Sequence, residues 1–279
     1  MIPFAIDQRT AVVVRPPGRW PELALAELWA YRELFCFLVW RDVKVRYRQT
    51  VLGVAWVALQ PLMTMAVFAV VLGRLVGVPT DGIPYPLFAY TGLLPWMFFS
   101  SAISTAAFCM VGHSHLITKV YFPRILLPAA VVTARLVDLA VGSIGLFAIL
   151  VFYRVPFTHT LFFIPAAVLI ELSLAVGTAS ILASWNVRFR DVGFIVPVIL
   201  QLGMFVTPVV YRWTLVPPEW RWVIMANPLT GIIETYRSAF LGLDMPWKPL
   251  AVSVFAAVAV VAVALLEIRS SESALADIV

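Results

Sequence analysis

Gln49–Gly73 reads QTVLGVAWVALQPLMTMAVFAVVLG, twenty-five residues without a charged side chain, bracketed by Arg48 and Arg74. About 20 apolar residues, rising 1.5 Å each in a helix, cross the roughly 30 Å hydrocarbon core of a bilayer. The stretch is therefore a membrane-crossing helix, and it decides the class: an all-α chain built in lipid, whose chemistry lies in whatever interrupts its apolar runs. Comparable runs follow it, and six transmembrane helices are expected at 52–75, 86–111, 127–153, 161–186, 192–211 and 249–267. Of the 279 residues, 62% are hydrophobic and only 13% charged. A soluble domain carries about 25% charged residues, so an ordinary soluble enzyme is excluded.

The net charge of +5 would suggest nucleic acid in a soluble chain. Here the basic residues flank apolar runs, where topology accounts for them and no nucleic-acid partner is expected. With the N-terminus in the cytoplasm, thirteen of the 20 Lys and Arg residues fall in cytoplasmic segments, six on the outer side, and Arg135 inside a span. Cytoplasmic loops carry the excess of Lys and Arg, so both termini are expected inside. Cys36 and Cys109 suggest neither a disulfide nor redox chemistry. The first twenty residues lack the apolar core of a signal peptide.

The chain divides into a cytoplasmic tail with an amphipathic interface helix, 1–50, and a transmembrane domain, 51–279. Over residues 21–48, Ala24, Leu28, Tyr31, Phe35 and Leu38 recur on one helical face behind Pro21. Such a helix lies in the membrane interface. The segment His113–Arg124 carries His113, His115, Lys119 and Arg124 between two spans. On the outer side, Tyr211–Lys248 is too polar to cross, with Glu219, Glu234, Arg237 and Asp244, yet too apolar for a solvated loop. Re-entrant half-helices before the last span fit it, with a short helix expected over Gly231–Leu241.

Arg41, Lys44, Arg46 and Arg48 precede the first span. Their plain role is to set topology and meet anionic lipid; their sharper role is to clamp the phosphates of a substrate head group. Arg135 and Asp138 in the third span, one turn apart, can pair with each other, and Glu171 in the fourth could join them. A neutralised packing cluster is favoured there over a proton relay. Trp56, Tyr90, Trp96, Phe98 and Phe99 are interfacial or core aromatics, or else the lining of a conduit for sugars. No phosphate loop of the G-x-x-x-x-G-K-[ST] type occurs, so ATP hydrolysis is not expected in this chain, nor any bound cofactor, metal or catalytic residue.

RDVKVRYRQTVLGVAWVALQPL (Arg41–Leu62) resembles the approach to the first span in ABC-2-type permeases that export bacterial surface polysaccharides: O-antigen, capsule, teichoic acid and galactan. YTGLLPWMFFSSAI (Tyr90–Ile103), KVYFPRILLP (Lys119–Pro128), NVRFRDV (Asn186–Val192), TPVVY (Thr207–Tyr211) and NPLTGIIETYRSAFLG (Asn227–Gly242) match in the same order. The resemblance covers about residues 25 to 268 and implies a homodimeric half-channel in the bacterial inner membrane. It also implies two copies of a separate ATPase subunit, which would hold ATP and Mg. The cargo would be a polymer on a polyprenyl pyrophosphate lipid, which gives Arg41, Lys44, Arg46 and Arg48 a head-group role. His113, His115, Lys119, Tyr121, Phe122, Arg124, Arg188 and Arg190 map onto the segments that contact the ATPases. Alternatives are an ABC-2 permease for a drug or small lipid, a membrane enzyme acting on polyprenyl-linked sugars, and a proton-coupled transporter, which would usually show internal repeats.

Overall fold

The computed structural model describes residues 29–48, 54–119 and 122–278, and every regular element among them is helical. The elements are α1 (Arg32–Tyr47), α2 (Val54–Phe68, continued by a wider π-helical stretch, Ala69–Val76), α3 (Tyr85–Ala106), α4 (Cys109–Gly112) and α5 (Ser114–Lys119). They continue with α6 (Leu126–Ala134) and α7 (Leu136–Phe152), one rod interrupted at Arg135, then α8 (Ile164–Arg188) behind a 3-10 turn, His159–Phe163. Last come α9 (Val192–Val206), α10 (Arg221–Ala226), α11 (Pro228–Leu241) and α12 (Trp247–Ile278).

Among the described residues five helical stretches are long and apolar enough to cross a membrane: Ala55–Val76, Tyr85–Ala106, Leu126–Phe152, His159–Arg188 and Trp247–Ile268. The run expected at 192–211 is shorter as a helix, because α9 stops at Val206 after 15 residues. Pro208 is the reason: its ring disfavours helical backbone in the residue before it, and Thr207 is extended at φ −87, ψ 138. Fifteen residues reach only about 22 Å. The second expected span also ends early, at Ala106. There the side chain of buried Asn186 donates to Ala107 O at 3.0 Å, and its carbonyl accepts from Gly193 N at 3.1 Å. One amide thus ties the end of α3 to the start of α9.

The core gathers around α3, which is buried along most of its length against α2, α6–α7, α8 and α11. α8 meets α12 at Gly177, where an added Cβ would strike the Val260 side chain and the Val261 backbone. Small residues let helix backbones approach where no hydrophobic drive operates between them. α1 lies against α6, with Tyr31, Phe35 and Leu38 turned to the core, as their spacing predicts. Residues 21–28, including Pro21, Ala24 and Leu28, lie outside the described residues.

At the end of the bundle remote from α1, the backbone of 207–211 is irregular, and the helix expected over Gly231–Leu241 appears as α11. α11 is buried on every side from Leu229 to Phe240. Asn227 caps it, accepting from Leu229 N at 3.0 Å while its amide donates to Thr207 Oγ1 at 2.8 Å. A Cβ on Gly92 would strike the Val209 carbonyl oxygen and the Arg237 guanidinium, so only glycine lets α3 pass this close. Gly92→Val is therefore expected to lower the melting temperature of the detergent-purified protein clearly; an unchanged transition would show that α3 does not close on Val209.

Candidate functional site

A cavity of about 640 Å³ forms a groove walled by α2, α3, α7 and α9. It lies beside two poorly covered helices. The α2 span is almost uncovered, and α9 leaves Phe194, Ile199 and Leu202 exposed. Trp56, Trp96 and Phe98 supply aromatic surface to the groove, and Gln60, Gln201, Ser100, Ser101 and Ser104 supply its neutral polar groups. Pro61 and Pro197 also face it; neither has an N–H to give to the preceding turn, so each loosens the helix that carries it.

The floor of the groove is ionic. Asp138 meets Arg46 at 2.8 Å and Arg135 at 3.4 Å, and it accepts a hydrogen bond from the Tyr47 hydroxyl. Burial, together with this carboxylate, holds the Tyr47 hydroxyl above its ordinary pKa, so it stays a donor at physiological pH. Arg135 also donates to Thr105 on α3. Helix α1 is thereby fastened to α7 through one carboxylate with three partners. The spacing of Arg135 and Asp138 predicts their pairing; the arrival of Arg46 and Tyr47 from α1 it does not.

A second cavity, about 540 Å³, lies behind this floor, lined by Arg41, Asp42, Cys109, His113 and Arg135 among others. Arg41 pairs with Asp42 at 2.8 Å, and its Nη2 lies 2.8 Å from His113 Nε2. The other ring nitrogen, Nδ1, is 2.8 Å from Cys109 O. A guanidinium can only donate, so in this contact Nε2 accepts, and the His113 ring is clamped between α1 and α4.

The four basic residues before the first span do not converge on one point. Arg41 turns to His113, Arg46 to Asp138, Lys44 lies over the Trp40 ring at 4.3 Å, and Arg48 is exposed. Of the five aromatics, Trp56, Trp96 and Phe98 line the groove, while Tyr90 and Phe99 are buried; the Tyr90 hydroxyl donates to Gly142 O at 3.0 Å. Glu171 stands apart from the Arg135–Asp138 cluster. It is fully buried and accepts from the Tyr236 hydroxyl on α11 at 3.0 Å.

Among the residues expected to meet a partner, His115, Lys119 and Arg190 are exposed, Phe122 is buried, and Arg124 is half-buried. Arg188 pairs with Glu267 on α12 at 3.4 Å. Tyr121 lies outside the described residues.

Two features of the site escape a reading of the sequence. Gln60 and Gln201 are side-chain amides inside otherwise apolar runs, and that isolation is the only sign that they face a cavity. Arg237, assigned by its charge to an outer loop, is 1% exposed. It pairs with Glu234 at 2.6 Å, donates to the carbonyls of Val209 and Tyr211, and lies 3.9 Å over the Phe88 ring. The Tyr85 hydroxyl takes Val210 O at 2.8 Å. In the irregular backbone at 207–211 the carbonyls of Val209, Val210 and Tyr211 thus have donors from within the protein.

The sequence matches the family profile described as ABC-2 type transporter over residues 33–241. It is 35% identical over 225 residues to the O-antigen export system permease protein RfbA of Myxococcus xanthus, covering 79% of this chain and 85% of that one. It is 25% identical over 234 residues to a protein of the same name from Klebsiella pneumoniae, covering 84% and 90%. To the polysialic acid transport protein KpsM of Escherichia coli it is 22% identical over 206 residues, covering 72% and 78%.

Proposed function

The chain belongs to the ABC-2 type transporter family, and on that premise we propose that it is the membrane-spanning subunit of an ATP-driven exporter moving lipid-linked polysaccharide across a bacterial cytoplasmic membrane. The observation that carries this is the groove, with aromatic faces and neutral hydrogen-bonding groups along its walls and cations at its floor. Aromatic faces accept the apolar C–H faces of sugar rings, while amides and hydroxyls meet sugar hydroxyls without imposing one register. The names of its relatives point the same way.

In this scheme α9 and the extended 207–211 segment make a sixth crossing, and α10 with α11 forms a re-entrant pair near the outer surface. Both termini are cytoplasmic. α1 lies in the cytoplasmic interface, where exposed Trp29, Phe37 and Trp40 beside Lys44 suit the headgroup layer. A second copy closes the groove from the side left open by α2 and α9, making a homodimer. Two ATPase subunits, holding ATP and Mg, dock against α1, the His113–Arg124 segment and the Arg188–Arg190 turn. Arg46, at the floor of the groove, meets the pyrophosphate of the lipid carrier, while Arg41, Lys44 and Arg48 serve other contacts on the same helix end.

The Arg41–His113 contact links two of the docking segments, and the Asp138 cluster links α1 to the groove wall. Closure of the ATPases on ATP would therefore move that wall. ATP binding shifts the equilibrium only through its different affinity for the closed and open assemblies.

Two results follow. Alone, the purified protein is expected to hydrolyse no ATP; reconstituted with its ATPase, it should export polyprenyl pyrophosphate-linked polysaccharide only when ATP is present. Turnover of ATP by this chain by itself, or export without nucleotide, would contradict the function. Lys119→Glu with Arg190→Glu, two exposed positions, should reduce co-purification of the ATPase while leaving the melting temperature unchanged; full retention of the ATPase would remove these segments from the docking surface.

A further inference from the structure

We infer that the groove passes an uncharged polymer and discriminates against an acidic one, a conclusion that rests on the exporter function proposed above. Three of the four helices walling the groove carry no fixed charge over their apolar lengths. From Gln49 to Gly73, from Gly82 to Gly112 and from Val192 to Tyr211 the sequence holds no Asp, Glu, Lys or Arg. Rotation or tilting of α2, α3 and α9 during transport therefore brings no cation to the wall. An anionic sugar inside would lose hydration with no counter-charge to replace it.

Of the polar groups lining the groove, two serines turn acceptors toward it and the two glutamines offer donor and acceptor alike, none with a positive charge. Ser100 and Ser101 donate their hydroxyl protons back along α3, to Met97 O at 3.4 Å and to Phe98 O at 3.1 Å. What they leave to the groove is oxygen lone pairs. These accept from a sugar hydroxyl and repel a carboxylate. Gln60 and Gln201 each present a donor and an acceptor, the same dual character as a sugar hydroxyl. The indole faces of Trp56 and Trp96 carry the negative side of the ring quadrupole, which favours C–H groups and cations over anions.

Positive charge is confined to the floor, where Arg46 and Arg135 share the single carboxylate of Asp138. Two cations against one anion suit a pyrophosphate held at the mouth. The charged part of the cargo and the sugar chain would then occupy different stretches of the path.

The test uses the permease reconstituted with its ATPase in proteoliposomes. Two substrates are compared: a polyprenyl pyrophosphate-linked neutral hexose oligomer, and the same oligomer with its primary alcohols oxidised to carboxylates. The neutral form should be exported at least about tenfold faster, given the penalty on charge at membrane depth. In the double variant Ser101→Lys, Gln201→Lys the ratio should narrow. Equal rates, or faster export of the oxidised oligomer by the unaltered protein, would overturn the inference while leaving the exporter function intact. Export of neither oligomer while ATP is hydrolysed would overturn both.

Discussion

Arg237→Met will unfasten the end of the molecule remote from α1. The guanidinium is buried, paired with Glu234, bonded to the carbonyls of Val209 and Tyr211, and seated over Phe88. Methionine fills similar space but leaves a buried carboxylate without its cation and two carbonyls without a donor. Removing one member of a buried pair costs about 3–5 kcal/mol, so a sharp loss of folded protein and of melting temperature is expected. Arg237→Lys should recover little, because a single ammonium cannot reach the acceptors that a planar fork serves together. Arg237→Met combined with Glu234→Leu should recover part of the loss, since no orphaned charge remains. A single variant as stable as the parent would show that the 207–211 carbonyls find other donors.

Asp138→Ala has the second large effect, and it falls on transport. The carboxylate holds Arg46 and Tyr47 of α1 against Arg135 of α7. Without it two guanidinium groups face each other, and the mechanical link between α1 and the groove wall is cut. Coupling between linked sites is typically about 1–3 kcal/mol, or about 5- to 150-fold. Export per ATP hydrolysed should fall within that range while the ATPase still binds. Asp138→Asn keeps an acceptor for Tyr47 but not the charge, and should lie between. Export and ATP hydrolysis falling in strict proportion would mean that Asp138 only stabilises the fold.

The crossing helices were legible because each is a long apolar run with at most a few charges, a property that survives any error in helix phase. What phase decides was not legible. α3 is apolar around its whole circumference, so nothing in its spacing separates Trp96 and Phe98, which face the groove, from Tyr90 and Phe99, which do not. The end of α9 was written at Pro208, yet the apolar run continues through it to Tyr211 and masks the break. α11 hid its burial behind Glu234 and Arg237, charges that point outward by habit. Their three-residue spacing was the one sign that they neutralise each other. Within the ionic floor, the local pair Arg135–Asp138 could be read, whereas its partner Tyr47 lies 91 residues away in sequence.

Polysaccharide that travels through the groove walled by α2, α3, α7 and α9 must pass Met97, which lines it, and not Phe255 on the exposed face of α12. A photo-crosslinking amino acid at either position, in the exporter stalled with lipid-linked polysaccharide, tells the two paths apart. The polymer should be captured from position 97 and not from 255. Capture from 255 with none from 97 would place the path elsewhere and contradict the account.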